Sequence, residues 1–202
     1  MNASGHRYFI INKPYNMVSQ FVSVDDVRLL GALDFDFPEG THAIGRLDNN
    51  SEGLLILTTN KKVTKLLFQG KEPHRRVYLC RVRGLVTPED LHILRTGVPI
   101  RIKENELYVT PPSEVHLVDE PENMFHHPEE TKEYSPYCWL TIALYEGKFH
   151  QVRKMTEAVH HRCKRLIRIS IEDLELGDLQ PGCVREIEEA TFFRQLKIDD
   201  WQ

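Results

Sequence analysis

Hydrophobic positions in this chain come in short bursts, not in long amphipathic runs. Arg7–Asn12 (RYFIIN) is rich in β-branched and aromatic residues and stops at Lys13-Pro14, which predicts a strand. Val18–Val24 alternates less regularly and predicts a second one. A Pro- and Gly-rich connection follows over Asp36–His42. Gly53–Thr58 is a compact apolar run bounded by Gly53 and Asn60, the pattern of a buried strand. Asn60 can cap a helix reaching about Phe68, with Val63, Leu66 and Leu67 on one face. Arg76–Val82 alternates well and meets Gly84, so it reads as a strand. Thr87-Pro88-Glu89-Asp90 then combines a hydroxyl cap, a first-turn proline and two acids, predicting a helix that ends near Gly97.

Residues 111–135 differ in kind, with four prolines, seven acids and one lysine. That composition predicts a long irregular insertion. Cys138–Tyr145 (CWLTIALY) is the clearest strand of the second half. A turn at Glu146-Gly147 leads into a helix over roughly 149–159, then a strand at Leu166–Ile171 and a short terminal element at Phe192–Ile198. Strands joined by turns, with a few separated helices, predict an α+β fold with a largely antiparallel mixed sheet.

The 202 residues suit one domain, and 41% apolar with 28% charged residues is ordinary for a soluble chain. No apolar run could span a bilayer. The N-terminus lacks the basic and apolar regions of a secretion signal, so a cytoplasmic protein is expected. Four cysteines without a C-x-x-C pair indicate neither a zinc ribbon nor a disulfide scaffold. His126-His127 and His160-His161 are adjacent pairs whose rings diverge, so no metal is expected.

Charge changes the picture. The net value of −4 argues against a general nucleic-acid binder. Yet segment 61–84 holds eight basic residues and one acid, and segment 147–170 holds seven and one. Together they carry +13 while the rest of the chain carries −17. Two solvated helix faces or two parts of a polyanion site explain this equally well from charge alone.

Ala43–Asn60 (AIGRLDNNSEGLLILTTN) places an arginine and an aspartate two apart in a polar loop that runs into a buried strand. Such a loop can hold a carboxylate at the mouth of a rigid element. On spacing alone, a plain loop whose Asp caps a turn is the simpler account.

Gly45 to Leu55 resembles the G-R-L-D-x-x-[ST]-x-G-L-L motif of pseudouridine synthases, in the RsuA-like branch that modifies ribosomal RNA. Arg76-Val77-Tyr78 is similar to the family's K-x-Y segment. Glu146 to Met155 (EGKFHQVRKM) matches its E-G-[RK]-x-[RH]-Q-[VI]-R-[RK]-M segment, and Arg165–Arg168 its R-L-I-R strand. Asn12-Lys13-Pro14 resembles its N-K-P opening. The five segments occur in family order over nearly the whole chain. With only about six residues before the opening strand, the S4 RNA-binding domain of many relatives is expected to be absent. The acidic insertion is similar to that of the E subtype among the synthases for large-subunit RNA.

The resemblance implies isomerisation of one uridine in large-subunit ribosomal RNA by a single catalytic domain, expected as a monomer, without cofactor or metal. The N1–C1′ bond breaks, the base turns, and C5 joins C1′, so no oxidant or ATP is needed. Asp48 is the implied catalytic carboxylate. Arg153 is expected to pair with it and Tyr78 to stack on the uracil. Arg46 is assigned to the RNA backbone, and Leu166 or Ile167 to an apolar floor under Tyr78. Arg75, Arg76, Lys148, His150, Gln151 and Lys154 complete the expected substrate-binding set, and Lys71 belongs to the same basic segment. Two departures stand out. Arg76 replaces the motif lysine, and Glu172 stands where relatives often have glycine. The tail from Ala190 onward is expected to pack on the surface. Three other readings are a ribosome-assembly factor that kept the fold without the reaction, a synthase for another structured RNA, and a glycoside hydrolase using Asp48 with Glu52.

Overall fold

The computed structural model describes residues 5–70, 72–103, 106–122, 125 and 135–201. The elements in chain order begin with β1 (Tyr8–Lys13), a 3-10 turn (Leu30–Ala32), β2 (His42–Ile44), β3 (Glu52–Thr58) and α1 (Lys62–Phe68). Next come β4 (Arg76–Arg83), α2 (Pro88–Thr96), β5 (Pro99–Lys103), β6 (Glu106–Val109) and β7 (Glu114–Val118). The chain continues with β8 (Tyr137–Leu144), α3 (Gln151–Ala158) and β9 (Cys163–Ile171). It closes with β10 (Leu174–Glu175), β11 (Val184–Ile187) and α4 (Glu189–Gln195). The fold class is α+β, and the chain divides into two units, Met1–Arg76 with Ile167–Gln202, and Val77–Leu166.

In the first unit β1 lies between β11 and β3, antiparallel to both, with Ile10 opposite Arg185 on one side and Ile56 on the other. β2 is antiparallel to β3, whereas β3 meets β9 in parallel at Glu52–Ile167 and Gly53–Arg168. All seven residues of β3 are buried, which explains its continuous apolar run. Gly53 is dictated by this crossing. Its φ is +98°, and a Cβ there would lie 2.3 Å from the carbonyl oxygen of Arg168.

The terminal element lies deeper than the sequence suggests. Glu188 caps α4 by accepting from the N–H groups of Ala190 and Thr191. Phe192 and Phe193 are fully buried, with centroids 4.6 and 5.3 Å from the Tyr8 ring. Tyr8 Oη donates to Glu189 at 2.7 Å, and Trp201 stacks on Phe193 at 4.5 Å. The tail is therefore part of this unit's core, because its aromatics complete the cover over β1.

In the second unit β8 sits between β4 and β7, with β7 antiparallel to it. β5 and β6 form a separate antiparallel ribbon with a bulge between Arg101 and Lys103. The core gathers Cys80 and Val82 of β4, Leu140, Ile142 and Leu144 of β8, and Val152 and Met155 of α3. α2 starts as its sequence predicts. Thr87 accepts from Asp90 N–H, and Asp90 accepts in return from Thr87 N–H at 2.9 Å.

Two further sequence expectations fail. Val18–Val24 forms no strand, because both edges of β1 are already occupied by β3 and β11. Val22 and Val24 are left exposed, and the loop is held by bonds such as Val18 N–H to Arg28 O at 2.9 Å. The irregular insertion also begins as a strand. β7 pairs with β8, with Val115 opposite Ile142 and fully buried. The later part of that prediction, at 123–124 and 126–134, lies outside the described residues, as do His126 and His127.

Candidate active site

The loop from Gly45 to Ser51 presents Asp48 half-buried, directly before β3. It is fixed on both sides of the carboxylate. Ser19 Oγ donates to Leu47 O at 2.9 Å and accepts from Leu47 N–H at 3.0 Å, so one hydroxyl satisfies both backbone groups of the preceding residue. After Asp48 the chain turns, and Ser51 N–H donates back to Asp48 O at 3.0 Å. The Asn49 amide donates to Asn16 Oδ1 at 3.0 Å.

Lys13 closes the arrangement. Fully buried at the end of β1, its ammonium donates to the carbonyls of Pro14 (3.0 Å), Met17 (2.6 Å) and Asn49 (3.3 Å). Burial pushes its amine down from 10.5 to about 7, against the charges of Glu52 and Asp48, which favour the ammonium. Lys13 and Ser19 thus position the loop, a role that sequence reasoning missed. The lysine was visible in the N-K-P segment, but nothing in the pattern showed that it would be buried. Glu52 is also buried, with its charge felt at Lys13. The carboxylate pair needed for sugar hydrolysis therefore lacks a second open member.

The other predicted residues of the first unit differ in exposure. Arg46 is exposed. Arg76 is buried, with its guanidinium 5.2 Å from the Phe68 centroid. Ile167 is buried where β9 meets Glu52. Arg75 is half-buried and its N–H donates to Glu172 Oε1 at 2.6 Å, while Glu172 N–H donates to Arg75 O at 2.8 Å. The Glu172 departure therefore bears on a predicted substrate residue. Its carboxylate also pairs with Lys197 at 3.2 Å and faces His74 at 3.6 Å, tying the β4 approach to the terminal segment. Lys71 lies outside the described residues.

In the second unit Tyr78 is half-buried on β4 and packs against the cluster that contains Leu166. That places the expected aromatic and one of its two candidate floor residues in one apolar group. The turn before α3 is built by Gln151. Its side chain donates to Glu146 at 2.7 Å and accepts from Lys148 N–H at 2.9 Å. The Gln151 amide is buried and occupied by this turn. Tyr108 Oη also donates to Glu146, which raises the tyrosine's pKa, and the Lys148 ammonium sits 4.8 Å from the Tyr108 centroid.

Arg153 is half-buried on α3 and reaches Cys163 Sγ at 3.7 Å. The Cys80 thiol donates to the same sulfur at 3.3 Å. Accepting that bond, with help from the guanidinium, pulls Cys163 down, while donating it and being buried push Cys80 up. His150 opens α3 in the left-handed region, and Lys154 N–H donates to its carbonyl. Among the described residues no group of three or more His, Cys, Asp or Glu is arranged to hold a metal ion, and no helix is long and apolar enough to cross a membrane.

A model of the RNA pseudouridylate synthase family matches residues 7–158, three quarters of the chain and all but the last of the motifs. The chain belongs to this family. Among its relatives, the ribosomal large subunit pseudouridine synthase E of Vibrio parahaemolyticus is 35% identical over 189 residues, covering 93% of this chain and 76% of the relative. The enzyme of the same name from Xanthomonas axonopodis pv. citri is 33% identical, covering 85% of this chain and 89% of the relative. A crystal structure of a pseudouridylate synthase superposes with a TM-score of 0.75 at 23% identity over 94% of this chain and 74% of that one, which shows the shared fold. The family is one of isomerases, so Asp48 stands in an RNA-modifying enzyme.

Proposed function

We propose that this chain isomerises a uridine of large-subunit ribosomal RNA to pseudouridine, with Asp48 as its catalytic carboxylate. The observation that carries this reading is the Asp48 loop. It has the family's motif sequence, with the residues on either side of Asp48 pinned and the carboxylate itself half-exposed. The reaction breaks N1–C1′ and forms C5–C1′, while N1 gains a proton and C5 loses one. It needs an ionised carboxylate held still against the nucleoside, which a pinned loop supplies. Tyr78 supplies an aromatic face for the uracil, and Arg153 and Arg46 the cations for substrate charge. The large-subunit assignment is supported by the relatives named synthase E.

Asp48→Asn tests the carboxylate. Tritium release from RNA bearing 5-tritiated uridine should fall to background, with stability within about 0.5 kcal/mol of wild type and RNA affinity unchanged. Turnover near wild type would remove Asp48 from the mechanism, whereas no tritium release from the wild-type protein itself would favour an assembly factor. Mapping pseudouridines in ribosomal RNA from cells lacking the protein should show one missing position in the large subunit. An unchanged map would refute the substrate assignment.

A further inference from the structure

The turn into α3 carries a feature that the catalytic assignment does not use. Phe149 is 66% exposed although Val152 and Met155, three and six residues along, are buried in the core. Its ring is stacked on His150, with centroids 3.8 Å apart and planes 19° from parallel. His150 holds that position at φ 55°, ψ 32°, a left-handed conformation that a side-chain-bearing residue adopts only at a cost. The Lys154 ammonium lies 5.2 Å from the Phe149 centroid. The His150 carbonyl starts the helix by accepting from Lys154 N–H, but the exposed Phe149 ring beside it adds nothing to the core.

We propose that the Phe149–His150 pair is a stacking shelf for an unpaired nucleobase of the RNA substrate. The proposal rests on the pseudouridine synthase reading. Every base offers a flat π-face, and aromatic side chains beside cations are how proteins take hold of bases in single strands. Residues 148–154 (KFHQVRK) hold three cations and no acid, which suits a phosphate-linked base better than an apolar protein surface. Lys154 places its charge at the ring, and Lys148 is exposed at the other end of the same turn. The shelf therefore reads a base by stacking while the lysines hold the backbone.

The test uses the full chain and a short single-stranded RNA carrying one 2-aminopurine, whose emission drops on stacking. Wild type and Phe149→Trp should quench the probe at saturating protein. Phe149→Ala should bind about 5-fold more weakly or worse, leave the emission near that of free RNA, and keep the wild-type salt dependence. Lys154→Ala should keep the quenching but flatten the slope of log K against log salt by about 0.7. Because Phe149 is exposed, thermal melting should show the alanine variant folded. Wild-type affinity and quenching in Phe149→Ala would overturn the shelf. So would unchanged RNA binding in that variant together with lost binding to a ribosomal protein, the mark of a protein-docking surface. A wild-type protein that quenches the probe yet releases no tritium from ribosomal RNA would refute the isomerase reading and leave the shelf standing.

Discussion

Replacing Lys13 by methionine separates two opposed effects of burying an amine. The variant removes three hydrogen bonds to the carbonyls of Pro14, Met17 and Asn49. At roughly 1 kcal/mol each they amount to about 3 kcal/mol. It also relieves the cost of holding a charge away from water, which works the other way. Only the second effect depends on pH. The folded amine titrates at about 7 and the unfolded one near 10.5. Between those values the unfolded chain binds a proton that the folded chain has released, so wild-type stability rises with pH relative to the variant. The contribution is complete above 10.5 and is lost as pH falls through 7. The slope is about 1.4 kcal/mol per pH unit, or roughly 2.7 kcal/mol between pH 6 and pH 9. Urea unfolding of both proteins at four pH values in that range reads it directly, because titrating groups remote from Lys13 cancel in the difference. A difference that stays flat from pH 6 to 9 would mean that the carbonyls and the carboxylates of Glu52 and Asp48 keep the ammonium charged. The reasoning from burial would then be wrong.

Two further perturbations test the supports around the site. Glu172→Gly frees a residue held at φ 49° but deletes the carboxylate that accepts from Arg75 N–H. Relief of about 1 kcal/mol against a lost charged hydrogen bond of roughly 1.5–3 kcal/mol gives net destabilisation of about 1 kcal/mol, and a glycine variant more stable than wild type in urea would contradict it. Gly53→Ala meets the Arg168 backbone at an already left-handed residue. Strain of about 1–2 kcal/mol and overpacking of about 1–3 kcal/mol should lower stability by several kcal/mol, as urea midpoints would show.

Where local pattern decides structure, the sequence was readable. The cap at Thr87, the buried run of β3 and the strand Tyr137–Leu144 follow from residues close in the chain. It misled where pairing partners decide. Val18–Val24 has strand-like composition, but both edges of the neighbouring β1 are taken by β3 and β11, and Glu114–Val118 has acidic, Pro-flanked composition but a partner in β8. The tail was hidden for a related reason. Phe192 and Phe193 have meaning only once Tyr8, far away in sequence, is placed beneath them. The motif residues were legible as a set, whereas the residues holding them were not. Ser19 sits in the segment misread as a strand, and Lys13 looked like a strand-ending cation.

That asymmetry has a physical origin in what the chemistry requires. A carboxylate that must stay ionised cannot be anchored by deep burial, since desolvation would favour its protonated form. It can be anchored by fixing the backbone on either side of it and leaving the side chain partly in water. Leu47 buried and bonded to Ser19, and Asn49 bonded to Lys13 and Asn16, do this for Asp48. The deeply buried group is instead the Lys13 amine, which ties Asn49 of this loop to Pro14 and Met17 after β1. In this arrangement the rigid part of the site is made of backbone, and many side chains can supply such contacts. The aspartate is written in the motif, and the means of holding it appear only in three dimensions.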